Sequence, residues 1–144
     1  MTPRLATPRD EDDLVALHRA VFPEDPWDEE FWRGAAKRDH DVVVVMGEPL
    51  SAFAVVRLMG EDGDLLTIGS AQKRQGQGRQ VLSQACVFAA ASGVKRLFLE
   101  VSTRNRVALT FYEGFGFERV GLRRRYYKDG SDAGVMRLRL APGD

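Results

Sequence analysis

Arg74-Gln75-Gly76-Gln77-Gly78-Arg79 is the stretch on which the rest of this chain turns. Two glycines one residue apart, flanked by arginines and glutamines, stand directly before a run with helical spacing. Glycine admits positive φ and lets a ligand approach the main chain closely. The start of a helix leaves four backbone N–H groups without intrahelical partners and carries about half a positive charge. Together these features make a site for a phosphate or pyrophosphate. The nucleotide-binding P-loop does not fit, because Gly78 is followed by Arg79 and Gln80 where that loop needs Lys and Ser or Thr. The dinucleotide fingerprint does not fit either, since Val81 stands where its third glycine belongs. An ordinary glycine-rich loop is the competing reading, and the neighbouring segments decide between the two.

Downstream of the loop, Val81, Leu82, Ala85, Cys86 and Ala89 fall on one helical face, so Cys86 reads as a small buried residue and not as a nucleophile. Ser92-Gly93 ends that helix, and residues 95–101 read as a strand. Residues 106–113 form a short helix. Residues 117–127 and 134–140 read as a closing strand pair around Lys128-Asp129-Gly130-Ser131. Upstream, β-branched residues 42–45, then 51–59 and 65–68, give three strands. Glu48-Pro49 and Glu61-Asp62-Gly63-Asp64 mark the turns between them, which predicts an antiparallel meander. The chain opens with a short strand and a helix capped by Thr7, with Pro8 at its first position and Asp10 at its third. The acidic run 10–13 then serves the helix dipole. Pro23 and Pro26 break this helix, and Asp28 caps a second one predicted to reach about Arg38, with Phe31 and Trp32 as core or cleft wall. The order is βα, α, βββ, α, β, α, ββ. It predicts an α/β fold whose mixed, mainly antiparallel sheet contains one strand–helix–strand crossover at the glycine loop.

With 144 residues the chain is expected to form one domain spanning 1–144. Its 21 basic and 21 acidic residues cancel, which disfavours a dedicated nucleic-acid binder. No apolar run approaches the ~18 residues of a membrane span, and the N-terminus lacks the apolar segment of a signal peptide. A single cysteine and two distant histidines, His18 and His40, suit the cytoplasm and give a metal little to bind.

Leu97-Phe98-Leu99 is a continuous apolar run, expected to be covered on both faces, and it leads into Glu100. A carboxylate at the end of such a strand is partly desolvated and so a candidate base, although a solvated charge is the plain alternative. Tyr112 follows within Phe111-Tyr112-Glu113-Gly114-Phe115-Gly116-Phe117. Alone it reads as an amphipathic core residue. Asn105, between the two, reads equally well as a helix N-cap.

Taken together, the glycine loop, Glu100, Asn105 and Tyr112 resemble the GNAT family of acetyl-CoA-dependent N-acetyltransferases. Within it they are most similar to the RimI type, which acetylates the N-terminal amine of a small-subunit ribosomal protein. The resemblance spans about residues 7–140. It is strongest in Leu66-Thr67-Ile68, the loop, Leu99-Glu100-Val101, Asn105, residues 111–117 and Arg123-Arg124-Arg125-Tyr126-Tyr127. It implies a sheet of about six or seven strands flanked by helices, acetyl-CoA as cosubstrate and no metal. It also implies Glu100 as general base and Tyr112 as the acid that protonates the departing thiolate. Backbone around Ile68, Gly69 and Ser70 would hold the acetyl group and pantetheine arm. Arg74, Gln75, Gly76, Gln77, Gly78 and Arg79 would cradle the pyrophosphate, and Asn105 would contact the cofactor. Two departures from the family pattern stand out. Lys73 replaces the usual Gln or Arg, and the approach Gly69-Ser70-Ala71-Gln72 is about two residues shorter.

The acceptor implied is the N-terminal amine of a protein, with a small-molecule amine or a lysine side chain as the alternative. An α-amine has a pKa near ~7.7–8.0, so roughly a tenth is already neutral at pH 7, against well under ~0.1% of a lysine. Such a substrate asks little of Glu100. Two further readings are a coenzyme A-binding protein without catalysis and an RNA contact by the basic run 123–128. Strand alternation would divide that run, leaving Arg123, Arg125 and Tyr127 on one face. The resemblance places the segment beside the acceptor cleft instead.

Overall fold

The computed structural model describes residues 2–23, 29–71 and 76–140. β-Branched and apolar runs form seven strands: β1 (Arg4–Leu5), β2 (Asp41–Met46), β3 (Ala52–Met59), β4 (Asp62–Ser70), β5 (Arg96–Ser102), β6 (Glu118–Arg123) and β7 (Ala133–Arg139). Four helices accompany them: α1 (Glu11–Val21), α2 (Glu29–Trp32), α3 (Gln77–Ala91) and α4 (Arg106–Phe115). The strands make one sheet in the order β1-β2-β3-β4-β5-β7-β6, antiparallel throughout except for β4 beside β5. This is the mixed, mainly antiparallel α/β sheet that the sequence predicts, with α3 as the crossover.

Each face of the sheet carries its own core. On one, Val42, Val44, Ala54, Val56 and Leu65 meet Val81, Leu82, Ala85 and Ala89 of α3, and α4 packs alongside. On the other, Val43, Val45, Phe53 and Val55 meet Leu14 and Leu17 of α1 and Trp32 of α2. A strand sandwiched this way is apolar at every position, which explains the unbroken Val42-Val43-Val44-Val45 run. Each fully buried Leu or Phe contributes about 1.5–3 kcal/mol. Cys86 packs at the edge of the first core and is only partly buried.

Several local expectations change. The second helix is split: α2 stops at Trp32, Gly34 takes φ +79°, and a 3-10 turn follows at Ala35–Lys37. Asp28 and Trp27 lie outside the described residues. At the N-terminus, Pro8–Asp10 form a 3-10 turn before α1. Asp10 accepts a hydrogen bond from the Thr7 amide at 2.8 Å and the two guanidinium nitrogens of Arg4 at 2.8 and 3.0 Å. Those partners hold its carboxyl below the usual range, a structural use of the acidic run. Asp62-Gly63-Asp64 is not a turn but the start of β4, paired with Met59, Leu58 and Arg57. Its carboxylates stand opposite cations: Asp62 takes Arg96 Nε at 2.7 Å. At the other end, β6 stops at Arg123, so residues 124–127 leave the sheet and strand alternation does not divide them. Arg125 adopts φ +50°, a left-handed conformation that no continuing strand accommodates.

Candidate active site

The site arises where β4 and β5 separate. Their parallel pairing covers only Asp62–Arg96, Gly63–Leu97 and Asp64–Phe98, although β4 continues to Ser70 and β5 to Ser102. Leu66 is the cause on the β4 side. Val55 pairs with Thr67 and Val56 with Leu65, which leaves Leu66 as an extra residue, a β-bulge that bends and twists the strand. Beyond it, Ile68, Gly69 and Ser70 stay paired with Ala54, Phe53 and Ala52 of β3. The opposite edge of Ile68 and Gly69 has no strand partner among the described residues, so it presents main-chain donors and acceptors to the opening.

Two cavities line this opening, and Leu66, Glu100 and Tyr127 border both. One, of about 390 Å³, runs along Thr67, Ile68, Ser102, Asn105, Ala108 and Tyr112, with His18 and Phe22 of the α1 side at its wall. The other, of about 500 Å³, lies over Phe98 and Val135, between Asp64, Leu66, Arg123 and Tyr126. Phe98 is therefore cavity floor, and among the described residues the Leu97-Phe98-Leu99 run is covered by a helix on one face only. Leu97 and Leu99 point into the α3 core, while helices α1 and α2 stop short of β5 on the other face.

Glu100 stands at the junction. Its side chain is 31% exposed and its carboxylate forms an ion pair with Arg123 Nε at 2.9 Å, so it is held by a cation and not simply desolvated by apolar neighbours. Arg123 also lies 5.7 Å over the ring of Tyr126. Tyr112 is placed by α4, with Phe111 and Phe117 edge-on to its ring at 5.3 and 5.6 Å. Burial first, and Tyr127 second, push its phenol up to about 12. Asn105 caps α4: its Oδ1 accepts the Ala108 amide at 3.1 Å, while the residue still borders the Tyr112 cavity.

The glycine loop ends beside these groups. Gly76, at φ +71°, is the residue before α3, a left-handed conformation in which glycine avoids a steric cost of roughly 1–2 kcal/mol. Gln77 is buried, and its side-chain oxygen accepts Ser70 Oγ at 3.5 Å, which ties the helix start to the end of β4. A Cβ at Gly78 would meet nothing nearer than Phe111 at 3.8 Å, so packing does not demand glycine there. Arg79 is exposed, 5.3 Å over the Phe115 ring. Arg74 and Gln75, and with them Gln72 and Lys73, lie outside the described residues. Among the described residues no group of three or more His, Cys, Asp or Glu side chains could hold a metal ion. The sequence places the 123–128 segment beside the acceptor cleft without pairing Arg123 with Glu100, and it gives Asp64 only as part of a turn. The Arg-Arg-Arg-Tyr-Tyr run was the available signal for Arg123, and an acidic turn-like segment concealed Asp64.

The Acetyltransferase (GNAT) family model matches residues 10–117 of this chain. The chain belongs to that family and is an acetyltransferase. It is 37% identical over 123 residues to the N-alpha-acetyltransferase RimI of Mycobacterium tuberculosis, covering 79% of this chain and 76% of that protein. It is 31% identical over 122 residues to the [ribosomal protein bS18]-alanine N-acetyltransferase of Escherichia coli K12, covering 81% and 82%. The crystal structure of the E. coli ribosomal-protein-S18-alanine N-acetyltransferase superposes with a TM-score of 0.84 at 26% identity, over 99% of this chain and 96% of that one. Acetyl-CoA is the acyl donor general to the family.

Proposed function

We propose that this chain transfers the acetyl group of acetyl-CoA directly to the N-terminal α-amine of a protein, a ribosomal protein being the favoured acceptor. The opening between β4 and β5, with Glu100 at its junction and Tyr112 along one wall, carries this reading. Similarity to two relatives named for N-α-acetylation supports the choice of acceptor. The start of α3 at Gly76, Gln77, Gly78 and Arg79 suits the pyrophosphate, with Arg74 and Gln75 assigned from sequence. The β4 backbone at Ile68, Gly69 and Ser70, beside the opening, suits the thioester and pantetheine arm, and the amide NH₂ of Asn105 remains for a cofactor contact beside its cap. Space around the Gly78 Cα fits a ligand lying against that backbone.

In this scheme the neutral amine nitrogen attacks the thioester carbonyl carbon, main-chain N–H groups of β4 steady the oxyanion, and the C–S bond then breaks. One proton leaves the nitrogen and one is gained by the sulfur. Glu100 takes the first, through water. Tyr112 faces the second, but a phenol near 12 is a much weaker acid than a thiol near ~8.5. Its part is to hydrogen-bond the departing thiolate, which takes its proton from solvent, while Glu100 returns the amine's proton to solvent and the two balance. Alignment of the two reactants supplies much of the remaining acceleration.

Mass spectrometry of a peptide panel incubated with acetyl-CoA tests the acceptor. Labelling of N-termini of ribosomal-protein-like peptides is expected. Exclusive labelling of lysine side chains or of small amines would overturn the assignment.

A further inference from the structure

The cavity over Phe98 contains a charge that acetyl transfer leaves unused. Asp64 of β4 lines it with Glu100, Arg123, Tyr126 and Val135. The neighbouring charges are already matched: Asp62 with Arg96 at 2.7 Å, Arg57 with Asp41 at 2.9 Å, and Arg123 with Glu100 at 2.9 Å. The Asp64 carboxylate makes no side-chain hydrogen bond or ion pair among the described residues. Burial and nearby Asp62 push its carboxyl up, against the pull of Arg123 and Arg57. Two carboxylates, Asp64 and Glu100, face one guanidinium, so the cavity is one negative charge in excess. A half-buried carboxylate in that position is stabilised by an incoming cation.

We infer that Asp64 is a specificity-determining subsite for a cationic side chain, Lys or Arg, at the second or third residue of the acceptor peptide. The inference rests on the α-amine reading given above. Asp64 lies beside Phe98, and Glu100 is two residues farther along β5. That separation is about 7 Å along the strand, at ~3.3 Å per residue. An extended peptide advances by about 3.3–3.6 Å per residue. With its α-amine at Glu100, its second or third side chain therefore projects over Phe98 toward Asp64. Phe98 and Val135 form an apolar floor for the methylene stem, and the carboxylate meets the charged tip.

The test compares acetylation of peptides that differ only in carrying Lys, Arg, Gln or Glu at position two or three, at saturating acetyl-CoA. Wild type is expected to favour Lys or Arg over Gln by on the order of 10-fold in kcat/KM, the scale of one charge-assisted hydrogen bond, and over Glu by more. Asp64→Asn should collapse that ratio to about twofold or less, Asp64→Glu should retain most of it, and added salt should shrink it in wild type. The ratio between peptides is the readout, so a general loss of activity in one variant does not imitate the effect. Equal rates for Lys and Gln peptides in wild type, or an unchanged ratio in Asp64→Asn, would overturn the subsite alone. Acetylation of lysine side chains or small amines with no N-terminal product would instead overturn the α-amine reading, and the subsite with it.

Discussion

Tyr112 and Glu100 face the same opening from different physical settings. The phenol is buried between aromatic rings and keeps its proton up to about pH 12. The form that donates a hydrogen bond is the protonated one, and burial raises its pKa, so that form persists through the whole working range. In the proposed role, turnover at saturating substrates should show no descending limb from this residue between pH 7 and 10. Tyr112→Phe should lower turnover by roughly 10-fold or somewhat more, the scale of one hydrogen bond to a charged group, by the same factor at pH 7 and pH 9.5. Glu100→Gln should lower it too, while acetyl-CoA affinity by calorimetry stays close to wild type in both. A limb near pH 8–9 that vanishes in Tyr112→Phe would refute the assignment. Glu100 was legible as a polar residue ending an apolar strand, but its Arg123 partner was not. That ion pair joins positions 23 residues apart, brought together only because β7 lies between β5 and β6.

Strand β4 sets the shape of the opening, and packing alone constrains its glycine. A Cβ on Gly69 would lie 2.7 Å from Phe53 Cζ and 2.9 Å from Val21 Cγ1. Phe53 is fully buried, with Trp32 edge-on at 5.8 Å and His18 at 5.5 Å, so its ring has little room to yield. Gly69→Ala should therefore cost about 1–3 kcal/mol of stability by overpacking, read as a lower midpoint in urea with an unchanged slope. An unchanged midpoint would mean that the ring moves aside. The existence of the three meander strands and of α3 followed from β-branched runs and helical spacing. The Leu66 bulge did not, because a one-residue offset leaves no mark in composition and is defined only by which β3 residue each β4 residue faces. Asp62 to Asp64 misled for a related reason. Gly and Asp favour turns locally, but cross-strand pairing with β3 and the Asp62–Arg96 ion pair make a strand stable there.

Across the whole molecule, the proposed binding of acetyl-CoA at the head of α3 would link the loop, the sheet opening and global stability. A ligand that binds only the folded state stabilises it by about 2.7 kcal/mol at a hundredfold excess over Kd. For a chain of this length that corresponds to a rise in Tm of roughly 8 °C. Acetyl-CoA should produce a shift of this order in a thermal melt. Gly78→Val should remove most of it while leaving the unliganded Tm nearly in place, since the native fold leaves room at that position. A full shift in the variant would argue against the phosphate assignment. The sequence by itself determined the element order, the crossover helix after Gly76-Gln77-Gly78, the strand at the β-branched Val42–Val45 run, and Glu100, Asn105 and Tyr112 as candidates. Each is a matter of local spacing or residue type. Only the tertiary structure decided how far β4 and β5 run together before they part, that Arg123 closes on Glu100, and that Asp64 faces a cavity instead of solvent. Those depend on strand register and on which faces α1 and α2 leave uncovered, and both are set by packing between segments far apart in the chain.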